Sequence, residues 1–296
     1  MSDPAGSAEA KYIDLHAHTT ASDGSLSPAE LVTLAKRTGL DALAITDHDT
    51  FAGFEEAVPL AREIGLDVVR GIELNTKLDL GPGRERRTAH LLGYWPSRQP
   101  SAEFTKWLIG EREERRERNQ RLAEALESHG IHITVEEVES VGRSLAGRVH
   151  FARVLVDKGY AANIEDAFQC YLGENAPSYV ERESQSTEEA IRIVREGGGI
   201  PVLAHPVRLA LARDVEAEAI RRLKNAGLLG LEVYHSEHPP ELQAHYRQVA
   251  EGLGLLLAGG SDFHGAIKPN IQLGSGMNAN IRVPREFLDR MRQFVQ

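Results

Sequence analysis

Seven short apolar runs, each followed by a polar turn or a capped helical pattern, constrain this chain more than any other feature. They fall at 12–15, 42–46, 67–73, 89–94, 200–204, 228–234 and 255–258. Most are rich in leucine or β-branched residues and lack strict alternation, as strands covered on both faces do. The segments between them carry helix signals. Ser27-Pro28-Ala29-Glu30 combines a capping box with a first-turn proline, Leu31, Leu34 and Ala35 continue an apolar face, and Gly39 closes it. Thr187 opens a second such helix that Gly197-Gly198-Gly199 ends, and Pro239-Pro240 and Pro284 mark further helix starts. Strand and helix in alternation predict an α/β fold of parallel strands joined by crossover helices.

One stretch breaks the pattern. From 101 to 183 there are helical periodicities and no convincing strand, so the sequence predicts a helical insertion. The parts that alternate strand and helix are then 11–100 and 184–296, preceded by a loose tail over 1–10. Within the insertion, Thr134-Val135-Glu136-Glu137 is a capping box. The charge run Glu111-Arg112-Glu113-Glu114-Arg115-Arg116-Glu117-Arg118 reads as a solvated helix face laced with i,i+4 pairs.

Composition narrows the function. A formal charge of −10 excludes a protein that coats long duplex nucleic acid, which needs an extended basic face, but leaves a small phosphorylated ligand open. No apolar run approaches the roughly 18 residues of a membrane span, so no membrane partner is expected. The single cysteine, Cys170, cannot form an intramolecular disulfide, and with no secretory leader pattern the expected location is the cytoplasm. The triple glycine lacks the Gly-Lys-Ser/Thr ending of a P-loop, and no G-x-G-x-x-G stands where a dinucleotide site needs it.

Histidine carries the chemical signal. In parallel α/β architectures, functional side chains gather where strands end, because the loops leaving those ends open on one face. His16, His18, His48, His90, His205 and His264 fall at or near run ends, together with Asp23, Asp47, Glu73 and Asp262. In His16-Ala17-His18, residues i and i+2 of an extended segment point the same way and can grip one ion. So many ionisable groups in one place repel unless divalent cations hold the carboxylates charged and the imidazoles neutral. Imidazole and carboxylate without thiolate suit zinc, manganese or iron better than calcium, and the donors exceed what one tetrahedral ion uses, so at least two ions are implied. Asp49 is either the cap of the helix that follows or a group orienting a histidine. His129, His132, His235, His238 and His245 read as surface or packing residues, with His235 the best exception. Trp95 and Trp107 read as packing or base-stacking residues, Arg208 and Lys268 as rim cations, and 84–87 as an exposed turn.

His16-Ala17-His18, Ser22-Asp23-Gly24, Ile45-Thr46-Asp47-His48-Asp49, Gly71-Ile72-Glu73, His90-Leu91-Leu92-Gly93-Tyr94, Ala204-His205-Pro206 and Gly260-Ser261-Asp262-Phe263-His264-Gly265 resemble, in order and spacing, the polymerase and histidinol phosphatase (PHP) family, in particular its stand-alone nucleotide phosphoesterases. The resemblance spans nearly the whole chain. It implies a distorted seven-stranded (β/α) barrel with a helical insertion. It assigns His16, His18, Glu73 and Asp262 to one metal. Glu73 then bridges to a second held by His90 and His205, and Asp23, His48 and His264 hold a third. Gly147-Arg148-Val149-His150 resembles a substrate-facing segment of the insertion, with Val149 where a proline is common. It makes Arg148 and His150, beside His205, candidate catalytic groups. The implied activity is hydrolysis of nucleotide phosphomonoesters, such as a nucleoside 3′,5′-bisphosphate, a 5′-monophosphate or the 5′ end of a short oligonucleotide, by metal-activated hydroxide. A histidinol-phosphate phosphatase, an amidohydrolase and a PHP module without catalysis are the alternatives.

Overall fold

The computed structural model describes residues 11–81, 83–142, 146–173, 175–180 and 185–295; the tail expected over 1–10 lies outside them. Local signals build the elements. Ser27 caps α1 (Pro28–Arg37), its hydroxyl accepting the Glu30 N–H at 3.3 Å while Glu30 accepts the Ser27 N–H at 2.8 Å. Ser186, one residue earlier than the sequence suggests, caps α7 (Thr187–Glu196). Pro284 lies in a short strand, and α10 (Glu286–Phe294) starts two residues later.

The sheet has eight strands. In chain order they are β1 (Tyr12–Asp14), β2 (Ala42–Ile45), β3 (Asp67–Leu78), β4 (Arg87–Trp95), β5 (Ile200–Leu203), β6 (Gly230–Tyr234) and β7 (Leu256–Gly259), a separate two-stranded ladder of β8 (Ile271–Gln272) and β9 (Gly276–Met277), and β10 (Val283–Pro284). The spatial order is β10-β1-β2-β3-β4-β5-β6-β7. The ring closes where the chain leaving β7 meets the chain leaving β1: Leu15 N donates to Gly259 O at 3.1 Å, Asp262 N to His16 O at 2.8 Å and His18 N to Phe263 O at 2.9 Å. β10 is an added edge strand, antiparallel to β1.

The sequence predicts parallel strands throughout, and here the structure differs. β3 pairs antiparallel with β4 from Arg70↔Trp95 to Leu78↔Arg87, and β4 is antiparallel to β5. A parallel crossover needs a dozen or more residues, usually with a helix. Only the loop after Leu78 separates β3 from β4, so a hairpin is the available connection. Glu73 therefore lies inside a long β3, and His90 early in β4 reaches the same rim because β4 runs the opposite way.

Helices α1, α2 (Ala52–Ile64), α7, α8 (Arg213–Asn225), α9 (Pro240–Gly252) and α10 follow or flank the ring. Leu15, Ile72, Leu91, Val202 and Leu231 belong to the main buried cluster; Leu31, Ala35, Leu43 and Ala57 make a second one under α1 and α2. Trp95 is a packing residue, 2% exposed, its Nε1 donating to Gly197 O. Between β4 and α7 the described residues form α3 (Ala102–Ser128), α4 (Val135–Gly142), α5 (Arg148–Asp157), α6 (Ile164–Ala167) and a π-helical turn (Phe168–Leu172). They own a third apolar cluster that includes Leu126, Val138, Phe151, Leu155 and Leu172. No helix among the described residues is long and apolar enough to cross a membrane.

Candidate metal centre

Local backbone bonds bring the strand ends to one rim. His16 and His18 lie on an extension of β1, tied to Phe263 by the Ala17↔Phe263 bridge and to Thr46, whose hydroxyl accepts the Ala17 N–H. His48 continues β2 and pairs with Glu73 across a parallel bridge. Asp47 turns away from the rim: its carboxylate accepts the Thr19 N–H and hydroxyl, both at 2.8 Å, and the Ser22 hydroxyl at 2.7 Å. It thereby holds the loop that presents Asp23.

Glu73 is the hub. Its Oε1 faces His90 Nδ1 at 2.8 Å and His205 Nε2 at 2.9 Å. Its Oε2 faces His18 Nε2 at 3.1 Å, His16 Nε2 at 3.3 Å and His48 Nδ1 at 3.4 Å. Asp262 Oδ1 stands 3.4–3.6 Å from nitrogens of His264, His18 and His16. Asp23 meets His264 Nε2 at 3.3 Å and His18 Nδ1 at 3.5 Å through one oxygen, and His48 Nε2 at 3.7 Å through the other. All nine residues expected as ligands thus converge on one rim.

Three groups of donor atoms within this cluster could each hold an ion: His16, His18, Glu73 and Asp262; His18, Asp23, His48 and His264; and His48, Glu73 and His90. The first has the expected membership. The second adds His18 to the expected trio, and the third has His48 where His205 is expected. The first is sealed, its side chains at most 1% exposed, whereas Asp23, His48 and His90 are 17–21% exposed and face the opening.

The donor chemistry fits divalent cations. His16 Nε2 and His18 Nε2 are buried and make no hydrogen bond, although each points at carboxylate oxygens. Burial pushes the His18 and His205 imidazoles down to about 3, and lowers His48, so these rings stand neutral with a lone pair to give. Burial alone raises Glu73, Asp262 and Asp23, but the surrounding imidazoles, with Lys268 beside Asp262, outweigh it and hold all three well below the usual carboxylate range. His16 goes the other way. Burial opposes its charge, yet Glu232, Glu73 and Asp262 hold its imidazolium far above the ordinary value, a demand for positive charge that an ion meets equally well.

Residues the sequence treats as bystanders enter the site. His235, buried on the loop after β6, has Nδ1 accepting the Glu237 N–H at 3.1 Å and Nε2 3.4 Å from Asp262 Oδ2. Glu232 of β6 accepts from His16 Nδ1 at 2.9 Å. Arg208 and Lys268 reach Asp262 Oδ2 at 2.8 and 2.7 Å, so their charge is partly committed there. Asp49 is not the cap of α2, whose N-cap position is Phe51. Asp49 instead accepts from Asn75 and pairs with Arg115 of α3.

That pair corrects the reading of the charge run. Glu111, Arg115 and Arg118 are 5–9% exposed. Spaced by four and three residues, they fall on the stripe of α3 that also carries Leu108 and Leu122, so this face packs inward and only the opposite face is solvated. Arg115 and Arg118, with Arg148 and His150, line a cavity of about 380 Å³ over the cluster, whose wall also includes Phe168 and Tyr179. Arg148 lies 5.7 Å from the Tyr179 ring centre and donates to Leu172 O at 3.4 Å. His150 Nδ1 accepts the Gly147 N–H at 3.0 Å, and burial brings its imidazole down to about 4. The 84–87 turn is exposed, as expected.

Comparison with known proteins agrees along the chain. The PHP domain model matches residues 14–175. A Haemophilus influenzae protein named 5′-3′ exoribonuclease is 32% identical over 255 residues, covering 86% of this chain and 90% of that protein. A Chromobacterium violaceum 3′,5′-nucleoside bisphosphate phosphatase is 32% identical over 256 residues, covering 85% and 87%. A solved Bifidobacterium adolescentis structure, described as a candidate metal-dependent phosphoesterase, superposes with a TM-score of 0.78 at 32% identity over 96% of each chain. A ring that gathers imidazoles around one shared glutamate is thus matched by likeness over most of its length, and the chain belongs to the PHP family.

Proposed function

We propose that this protein is a metal-dependent phosphoesterase that hydrolyses nucleotide phosphomonoesters: a nucleoside 3′,5′-bisphosphate, a 5′-monophosphate or the 5′ end of a short oligonucleotide. The observation that carries the reading is the set of overlapping donor groups sharing Glu73, His18 and His48 at the floor of a cavity walled by guanidinium groups. The residues proposed as ligands are His16, His18, Asp23, His48, Glu73, His90, His205, Asp262 and His264. Two or three divalent ions, manganese first and zinc or iron next, are the proposed cofactors. Bound there, they supply Lewis acidity to phosphoryl oxygens and water.

The chain's own groups do the rest. Glu73 presents separate oxygens to separate imidazole sets, which suits a bridging carboxylate. Arg148, on the wall that Arg115 and Arg118 also line, offers a guanidinium fork to phosphate oxygens and to the charge that grows during in-line displacement. His150 is neutral near pH 7, so it acts as a hydrogen-bond donor or orienting ring rather than as a cationic acid. Phe168 and Tyr179 are half-buried on the cavity wall, where an aromatic base can stack. About 380 Å³ suits one nucleotide unit and not a duplex. The relatives named as a nucleoside bisphosphate phosphatase and as a 5′-3′ exoribonuclease support the substrate class. A single thiol suits the cytoplasm.

The test is phosphate release from bisphosphates, mononucleotides, 5′-phosphorylated oligonucleotides and histidinol phosphate, with manganese and after chelation. Release from nucleotides, lost on chelation and restored by metal, is the expected result. Full activity without metal, or release from histidinol phosphate alone, overturns it.

A further inference from the structure

Glu232 is completely buried on β6 and, among the described residues, belongs to none of the three donor groups that could hold an ion. Both of its oxygens are engaged by protein donors. Oε1 accepts from His16 Nδ1 at 2.9 Å, and Oε2 accepts the backbone N–H of His205 at 2.7 Å. His16 follows β1 and His205 follows β5, so one carboxylate on β6 clasps the exits of two strands that are not neighbours in the ring.

The two bonds do different work. The bond to His16 keeps a proton on Nδ1 and leaves Nε2, the atom facing Glu73 Oε2 and Asp262 Oδ1, free to donate its lone pair. The bond to His205 holds a backbone at φ 22°, ψ 64°, a region that a residue with a Cβ adopts only when its surroundings enforce it. That conformation aims His205 Nε2 at Glu73 Oε1.

We propose that Glu232 is a positioning residue that sets the tautomer of His16 and the backbone of His205 together, and so determines how tightly the innermost site takes a divalent ion. The inference rests on the metal-centre reading above. A carboxylate is required because it accepts at both oxygens. A glutamine offers one acceptor and one NH₂ donor. With the amide NH₂ toward His16, the ring proton must move to Nε2 and block the coordinating atom. With it toward His205, the NH₂ confronts a backbone N–H and the turn loses its clasp.

The experiment uses zinc as a diamagnetic probe. Zinc is titrated against a competing chelator into wild type, Glu232→Gln and Glu216→Gln; Glu216 is a buried carboxylate bonded to Tyr246 at 3.1 Å, outside the site. Metal-free melting temperatures report folding. Glu232→Gln is expected to bind its tightest zinc about 10–100-fold more weakly, while Glu216→Gln binds as wild type. Nitrogen-detected histidine NMR of zinc-loaded wild type, with His16 assigned through a His16→Asn variant, is expected to show the proton on Nδ1, a readout that holds even where Glu232→Gln fails to fold. Equal zinc affinity in wild type and Glu232→Gln overturns the inference and leaves the metal centre standing; a His16 proton on Nε2 overturns the inference and also removes His16 from the ligands. A wild-type protein that takes up no zinc overturns both.

Discussion

Replacing Arg115 by methionine is the sharpest test of how the helical insertion meets the barrel. Arg115 projects from α3 onto Asp49, and the two side chains are only 10% and 4% exposed. Removing one partner of a buried ion pair leaves the other charge uncompensated and costs about 3–5 kcal/mol. Asp49 keeps partners in the variant, Asn75 N and Nδ2 among them at 3.4 Å each, which favour the lower end, about 3 kcal/mol. For a chain of this size about 2 °C of melting temperature accompanies each kcal/mol, so a fall of roughly 6 °C is expected. Urea unfolding of the metal-free protein measures it directly. Adding Asp49→Asn removes the carboxylate charge that Arg115 faced, so the double variant should recover about 1–2 kcal/mol of the loss. A single variant within about 0.5 kcal/mol of wild type refutes the argument, since that is how a solvated cation on an exposed helix face behaves.

His18 belongs to two donor groups, so His18→Ala should lower phosphate release roughly 100-fold or more with an unchanged circular dichroism spectrum; near-normal turnover would remove it from the centre. A methyl group at Gly53 would meet Asp47 Oδ2 at 2.0 Å and Thr19 Oγ1 at 2.6 Å. Gly53→Ala should therefore cost about 1–3 kcal/mol and reduce metal affinity by disturbing the loop that carries Asp23, as read by chelator competition. Burial works against the Asp67 charge, but Arg292 and then Arg285 hold its carboxyl below the usual range. Its folded value is depressed, so the stabilisation is present above about pH 4 and is lost as pH falls through the folded value. Asp67→Asn should accordingly cost about 1 kcal/mol at pH 7 and progressively less below pH 4 in a pH series of urea midpoints. Arg148→Ala should raise KM for a phosphomonoester about tenfold, and an unchanged KM would assign Arg148 to packing against Tyr179.

The rim histidines were legible because their spacing relative to the apolar runs survives any error in strand length. His16, His48 and His205 need only the rule that polar residues follow strand ends. His90 reaches the rim for another reason, since β4 runs antiparallel and its early residues lie there. No periodicity distinguishes the two strand directions; the signal available was the short separation of β3 from β4, too brief for a helix. The guanidinium wall was hidden by composition. Eight successive charged residues look solvated, yet Leu108, Glu111, Arg115, Arg118, Leu122 and Leu126 share a helical stripe, and that phase, not the charge, decides which face turns inward. Glu232 lies within β6 and His235 directly follows it, close to where the rim groups of other strands stand. Their contacts come from segments remote in sequence.

Asp14, Asp47 and Glu232 give the site its shape without belonging to any donor group. Asp14 accepts the N–H groups of His16 and Ser261 at 3.0 Å each and of Gly274 at 2.8 Å, fastening the chain after β7 beside the chain after β1. Asp47 gathers Thr19 and Ser22, and Glu232 joins His16 to His205. Burial pushes the Asp14 and Asp47 carboxyls upward, partly offset by the hydrogen bonds they receive. The donors of the centre repel one another when no cation is shared among them, and Asp262 and His205 occupy positive-φ backbone that relaxes if released. Such a cluster persists only where the backbone beneath it is fixed from several directions. A carboxylate whose oxygens already accept from backbone N–H groups has little left for an ion, so an acid at a strand end is a framework group or a ligand according to the donors around it.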